Sequence, residues 1–176
     1  MISISIAIPV HNGENYVMEA INSVLEQNYD NYELIIIDNA STDNTYKILK
    51  KIKHKKIKLY RNSTNIGSTR NFNKCIKKAK NDYFMLLSHD DYLLPGCLVN
   101  YVKAIKNSEA EMLYSAFHTV NKNKKIINSK KIHKTDKIFQ RKELILELLD
   151  NPLGSQLCFY KTDILKKNVG YELDYG

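Results

Sequence analysis

Residues 3–43 read SISIAIPVHNGENYVMEAINSVLEQNYDNYELIIIDNASTD. Ile4, Ile6 and Ile8 alternate in a β-branched stretch, which predicts a strand over Ser3 to Ile8 that Pro9 ends. Over Glu14 to Gln27, Val17, Ala20, Ile21, Val24 and Leu25 recur at helical spacing. The run from Glu33 to Ile37 is apolar after its first residue, as in a strand buried on both faces, and it ends at Asp38. A strand, a helix and a second strand in that order form a βαβ unit, and such units imply a parallel sheet.

The pattern continues outward. Ser41, Thr42 and Asp43 offer cap chemistry for a helix reaching about Ile52, with Ile48, Leu49 and Ile52 turned inward. Lys56 to Tyr60 reads as a third strand. Thr69 to Lys80 reads as a helix with Phe72, Ile76 and Ala79 on one face, and Tyr83 to Leu87 as a fourth strand. Pro95 sits where the first turn of a helix tolerates it, ahead of Leu98, Val99, Val102 and Ile105. Beyond this, Met112 to Thr119 reads as a strand and residues 121–137 as a Lys-rich loop or edge hairpin. Lys142 to Leu149 predicts a short helix and Leu157 to Tyr160 a strand, with Thr162 capping a last helix. The expected fold is α/β, an open and mostly parallel sheet with helices on both faces. One domain is expected over residues 1–176.

The chain has 176 residues, with 27 Lys plus Arg against 19 Asp plus Glu, a net charge of +8. Its 43% hydrophobic content is enough for a core and excludes wholesale disorder. No apolar run reaches the ~18 to 20 residues that span a bilayer. The start has neither a basic n-region nor a cleavage site, so no secretory signal is expected. Cys75, Cys97 and Cys158 are odd in number and far apart, which predicts no disulfide framework and a reducing, cytoplasmic setting. The positive excess gathers at Lys50, Lys51, Lys53, Lys55, Lys56 and Lys58, and again between Lys122 and Lys137. Such clusters suit phosphate, whether nucleotide, nucleic acid or anionic membrane, and equally suit solvated loops. Aromatic stacking platforms are not interleaved with them and no nucleic-acid-binding motif is present, so no nucleic-acid partner is expected.

In an open α/β sheet, ligands bind outside the carboxyl ends of the strands. Three predicted strands end in polar residues: Pro9-Val10-His11-Asn12-Gly13, Asp38 to Asp43, and Ser88-His89-Asp90-Asp91. Each alone makes an ordinary turn; three on one rim favour a site. Neither a GxGxxG nor a Walker A loop is present to cradle phosphates. Adjacent carboxylates at Asp90 and Asp91 suit a hard divalent cation, Mg²⁺ or Mn²⁺, that keeps positions open for substrate phosphates. His89 is either a ligand or a neighbour pointing away.

These motifs resemble the nucleotide-binding part of family-2 glycosyltransferases with the glycosyltransferase A fold. The resemblance rests on IPVHNGENYVMEAINSVLEQNYDNYELIIIDNASTDNT and NIGSTRNFNKCIKKAKNDYFMLLSHDDYLLP. It implies inverting transfer of a sugar from a nucleotide diphosphate donor, most often a UDP-sugar, to an acceptor hydroxyl in cell-surface glycan synthesis. By resemblance, Pro9, His11 and Asn12 lie at the nucleotide, Asp38 accepts from a ring N–H of the base, and Arg70 lies at the same site. Asp91 is the principal metal ligand and Asp90 contacts ribose or donor sugar. Residues 1–110 are the nucleotide-binding half and 111–176 an incomplete acceptor half. Ser88 departs from the family, many members of which carry Asp there. The acidic residue that deprotonates the acceptor follows a segment like residues 169–174, so it is expected beyond Gly176; Glu172 and Asp174 are not assigned. Ser155 and Gln156 are candidates to face the sugar. The chain reads either as part of a longer enzyme or as a nucleotide-sugar-binding module without transfer activity. The implied partners are the donor and a glycan or lipid-linked acceptor. The implied location is the cytoplasm, with peripheral association at the inner membrane face suggested by the lysines.

Overall fold

The computed structural model describes residues 1–130 and 158–167. The helix expected at Lys142 to Leu149, Ser155, Gln156 and residues 169–174 lie outside them. The elements run β1 (Ile4–Val10), α1 (Val17–Leu25), β2 (Tyr32–Asp38), α2 (Thr45–Leu49), β3 (Ile57–Arg61), α3 (Ser68–Lys78), β4 (Tyr83–Leu86), α4 (Cys97–Ser108), β5 (Met112–Tyr114), β6 (Phe117–Val120), β7 (Ile126–Lys130), β8 (Cys158–Lys161) and α5 (Thr162–Lys167). Six strands form one sheet in the order β3-β2-β1-β4-β8-β5, and β6 and β7 form a separate hairpin. β3, β2, β1 and β4 are parallel, and β8 enters antiparallel between β4 and β5. The mostly parallel α/β sheet is the architecture that the sequence predicts. The sheet is wound outward in both directions from β1, with β2 on one side and β4 on the other. The gap beyond the ends of β1 and β4 is the switch point where such folds hold ligands.

Strand alternation sorts the core into two layers. Ile4, Ile6, Ile8, Val10, Leu34 and Ile36 pack with α1, α2 and α4. Ala7, Ile35, Ile37, Phe84 and Leu86 pack with α3 and α5. Ile6, Ile8, Leu34 and Ile36 have no exposed surface, so cutting any of them to Ala costs about 2–5 kcal/mol.

Pro9 does not end β1. The strand runs to Val10, with Pro9 opposite Ile37 of β2. In β1 the even residues bond toward β2, as Val10 O accepts from Asn39 N; the odd residues bond toward β4, as Ala7 O accepts from Leu87 N. Pro9 therefore faces the β4 side one step past the last rung, where a missing N–H costs nothing. Pro95 precedes α4 rather than sitting in its first turn; Gly96 between them is left-handed, with φ of 78°. Met112 to Thr119 is two strands, split at Ser115 and Ala116. Thr162 opens α5 with its hydroxyl unpartnered among the described residues, so it is not a side-chain cap.

A buried polar cluster fastens the opposite edge of the sheet. Ser5 Oγ donates to Glu33 Oε1 at 2.6 Å, Lys58 Nζ to Glu33 Oε2 at 2.6 Å, and the Lys80 amide to Glu33 Oε1 at 2.9 Å. One carboxylate thus joins β1, β2, β3 and the turn before β4.

Candidate functional site

The turns after β1 and β2 are laced together. Asn12, left-handed at φ 54°, donates its amide to Ser41 Oγ at 2.9 Å and accepts from Thr42 N at 2.8 Å through Oδ1. Asparagine tolerates that backbone region well; Ala40, at φ 56°, carries a cost of about 1–2 kcal/mol there. Gly13 N donates to Thr45 Oγ1 at 2.8 Å, and Glu14 Oε2 accepts from Asn44 N at 2.9 Å. Asp43 accepts from Thr45 N at 2.9 Å in a turn just ahead of α2. The N-cap itself is Asn44 and makes no side-chain cap bond, so the Ser41-Thr42-Asp43 run does not cap the helix as expected. Asn12 therefore sits at the rim with its side-chain oxygen already engaged.

Asp38 does not lie open to a ligand. It falls on the even, α2-facing side of β2 and has no exposed surface. Ser41 N donates to its Oδ1 at 3.3 Å, and Arg61 Nε stands 3.0 Å from its Oδ2. That second contact lacks hydrogen-bond alignment, so it is Coulombic. Arg61, at the facing position of β3, also donates to Ser41 O at 3.1 Å and lies 4.1 Å above the Tyr46 ring. Asp38 thus braces the rim from beneath, because strand alternation places it on the face of the sheet away from His11.

His11 and Asn39 belong to the α3-facing side. His11 Nδ1 is 3.0 Å from Asn39 O, and Asn65 Nδ2 is 3.2 Å from His11 Nε2. An amide nitrogen only donates, so Nε2 accepts and Nδ1 carries the proton. Behind them lies an asparagine network that the sequence reading missed. Asn39 Nδ2 donates to Asn65 Oδ1 at 2.7 Å, and Asn62 Nδ2 to Asn39 Oδ1 at 2.8 Å and Asn71 Oδ1 at 3.0 Å. The available signal was asparagine at the ends of β2 and β3 and in the first turn of α3. Arg70, also in that first turn, is exposed and makes no side-chain hydrogen bond or ion pair among the described residues. By strand parity Pro9 lies on the same α3-facing side of the sheet as His11, to which Asn65 is bonded.

The β4 end approaches from the other side. Asp91 N donates to Ser88 O at 3.2 Å, closing a turn that leaves Asp90 and Asp91 exposed. The His89 ring packs on Gly13, which fixes the β4 turn against the β1 turn. This favours the reading of His89 as a packing neighbour. Surrounding protein raises the Asp91 pKa above the usual carboxylate value, the Asp90 charge raises it further, and His89 opposes both. A divalent cation would relieve that repulsion. Among the described residues no three His, Cys, Asp or Glu side chains gather into a metal cage. Two adjacent carboxylates without a cage fit a cation that shares its coordination with phosphate oxygens.

Next to this turn runs a groove of about 510 Å³ between α1, residues 92–95 and Lys124. Its lining includes none of Pro9, His11, Asp38 or Arg70.

Comparison with known proteins adds to this geometry. The profile described as glycosyl transferase family 2 matches residues 5–167. The chain belongs to that family. This family-2 chain is 29% identical over 184 residues to an uncharacterized glycosyltransferase of Rickettsia typhi, covering 98% of the chain and 56% of the relative. It is 31% identical over 115 residues to the Escherichia coli UDP-Glc:alpha-D-GlcNAc-diphosphoundecaprenol beta-1,3-glucosyltransferase WfaP, covering 65% of the chain and 46% of the relative. It thus spans about half the length of these relatives. Among solved structures it resembles Staphylococcus aureus TarS 1-349 in complex with UDP-GlcNAc, with a TM-score of 0.79 and 23% identity over 94% of the chain and 47% of TarS. It also resembles the Pyrobaculum calidifontis mannosyltransferase PcManGT in complex with GDP-Man and Mn2+, with a TM-score of 0.71 and 15% identity over 97% of the chain and 48% of that enzyme. At those identities the likeness establishes the glycosyltransferase A fold. Among the described residues no helix is long and apolar enough to cross a membrane.

Proposed function

We propose that this family-2 chain binds a nucleotide diphosphate sugar, a UDP-sugar first among candidates, and serves inverting transfer to an acceptor hydroxyl in cell-surface glycan synthesis. The observation that carries the reading is the meeting of three polar strand ends on one rim, fixed by the His89–Gly13 contact. Pro9 and His11 receive the base at the α3 side, with Asn65 as a neighbour that can exchange its contact to His11 for one to the nucleotide. Arg70, in the first turn of α3 and without an ion-pair partner among the described residues, is available to the nucleotide. Asn12 shapes the turn beneath it. Asp38, held by Arg61, supports the floor. Asp91, with Asp90 beside it, is the anionic pair that would hold Mg²⁺ or Mn²⁺. When bound, such a cation neutralises charge on the departing diphosphate. In transfer, the acceptor oxygen bonds to the anomeric carbon as the bond to the diphosphate breaks, and the hydroxyl proton goes to a general base, which we place beyond Gly176.

The diphosphoundecaprenol-linked acceptor of the Escherichia coli relative WfaP supports a lipid-linked or glycan acceptor here. With it goes a place on the cytoplasmic side, with lysines available to an anionic lipid face. The test is calorimetric titration of UDP with Mn²⁺ and then with chelator. Metal-dependent binding is expected. Absence of binding by UDP and by every other nucleoside diphosphate overturns the reading.

A further inference from the structure

The groove beside the rim is left unused by the nucleotide reading. One wall is a polar stripe on α1: Glu19, Asn22 and Glu26 are three and four residues apart, hence on one helix face. The other wall is Tyr92, Leu94 and Pro95, with Leu94 52% exposed. The walls are held together by side chains other than those that line them freely. Ser23 Oγ accepts from Leu93 N at 3.0 Å, and Gln27 bridges Leu94 O at 3.0 Å and Leu98 N at 3.2 Å. That fastening leaves Asn22, Glu26 and the Tyr92 hydroxyl without a side-chain hydrogen bond among the described residues. Lys124, in the turn of the β6–β7 hairpin, pairs with Glu19 at 2.6 Å and roofs the groove.

The chemistry of this lining selects a class of ligand. An apolar molecule would leave the Asn22 amide and Glu26 carboxylate dehydrated and unpaired, which is unfavourable. An anion would meet Glu26, the Lys124 charge being already taken up by Glu19. A saccharide meets neither objection: its hydroxyls both donate and accept, matching an amide that does both and a carboxylate that accepts, while its C–H face covers an aromatic ring. The volume lies within the ~300–1,000 Å³ common to small-molecule sites. Tyr92 directly follows Asp91, so the groove opens where the candidate cation turn ends.

We propose that this groove binds the saccharide of the acceptor, with Asn22 and Glu26 reading its hydroxyls and Tyr92 its apolar face. The inference rests on the glycosyl-transfer reading. The test is amide NMR on the ¹⁵N-labelled full chain, titrated separately with UDP plus Mn²⁺ and with maltose, cellobiose, lactose and N,N′-diacetylchitobiose. At least one disaccharide is expected to shift the resonances of Asn22, Glu26 and Tyr92. Glu26→Gln and Asn22→Ala should each weaken that sugar about fivefold, the size of one net hydrogen bond. If no disaccharide perturbs the groove, or those that bind perturb residues elsewhere, the inference is overturned. If UDP leaves residues 10–12 and 88–91 unmoved while a sugar shifts the groove, the nucleotide reading fails and the saccharide site stands.

Discussion

Gly13 lies under the imidazole of His89, so close that a Cβ on Gly13 would stand 2.5 Å from His89 Cδ2 and 2.8 Å from Val10 Cγ2. The glycine is required by contact between two turns and not by its own backbone angles. Gly13→Ala is therefore expected to lower stability by about 1–3 kcal/mol, the usual size of overpacking. Adding His89→Ala should recover part of that loss, because the two sites touch. Urea unfolding of the two single variants and the double variant checks this; strictly additive losses would refute the contact.

Asp38→Ala is expected to act on the fold before it acts on ligand. It leaves Arg61 facing an emptied, buried site. The cost should fall toward or below the lower end of the ~3–5 kcal/mol seen when a wholly buried pair is broken, because Arg61 is 41% exposed. UDP and CDP should weaken by the same factor in this variant. A loss confined to UDP would restore direct base contact by Asp38.

Asp91→Asn should move stability and binding in opposite directions. The folded-state pKa of Asp91 is raised by partial desolvation from the surrounding protein and by the Asp90 charge. A carboxyl with a raised pKa destabilises the folded state once ionised, so removing the charge raises stability at neutral pH. Metal-supported UDP binding needs the ionised form and is lost in Asn. In the unsubstituted chain that binding should fade on acidification from a higher pH than an ordinary carboxylate near 3.8 would give. Thermal melts and UDP titrations with Mn²⁺ across pH separate the two effects.

Glu33 carries the opposite sign. Burial pushes its pKa up, but the Lys58 ammonium, the Ser5 hydroxyl and the Lys80 amide together bring it below the usual 4.5. Its contribution is present above the unfolded-state value and is lost as pH falls through the lowered folded one. Glu33→Gln should flatten that part of the acid-unfolding curve, as urea midpoints measured from neutral pH down to pH ~3 would reveal.

The order of elements through α4 is legible in the sequence because each apolar run carries one period. Ile4, Ile6 and Ile8 alternate, Val17 to Leu25 repeat as a helix, and the ends carry turn chemistry. The residues brought to the rim were legible too, since strand ends in a parallel sheet converge. What the sequence concealed was direction. Whether Asp38 or Asn39 faces His11 depends on the parity of β2, and only the ladder with β1 settles it. The asparagine network was hidden for a related reason: Asn39, Asn62 and Asn71 each look like ordinary turn or helix residues until β2, β3 and α3 are stacked. Pro9 misled because its missing amide matters only if a partner strand reaches that far.

Among the described residues β5 joins the sheet through β8, and β8 fills the space between β4 and β5. Phe159 of β8 is fully buried and stacks on Tyr101 of α4, ring centroids 3.9 Å apart. A nascent chain can therefore pair β1 through β4 as they emerge, yet β4 gains its β8 neighbour, and Tyr101 its stack with Phe159, when residues 158–161 arrive. An unpaired strand edge is a template for wrong pairing. The antiparallel insertion thus makes completion of the sheet a late, long-range step in biosynthesis, and places the aggregation-sensitive interval between the synthesis of β4 and that of β8.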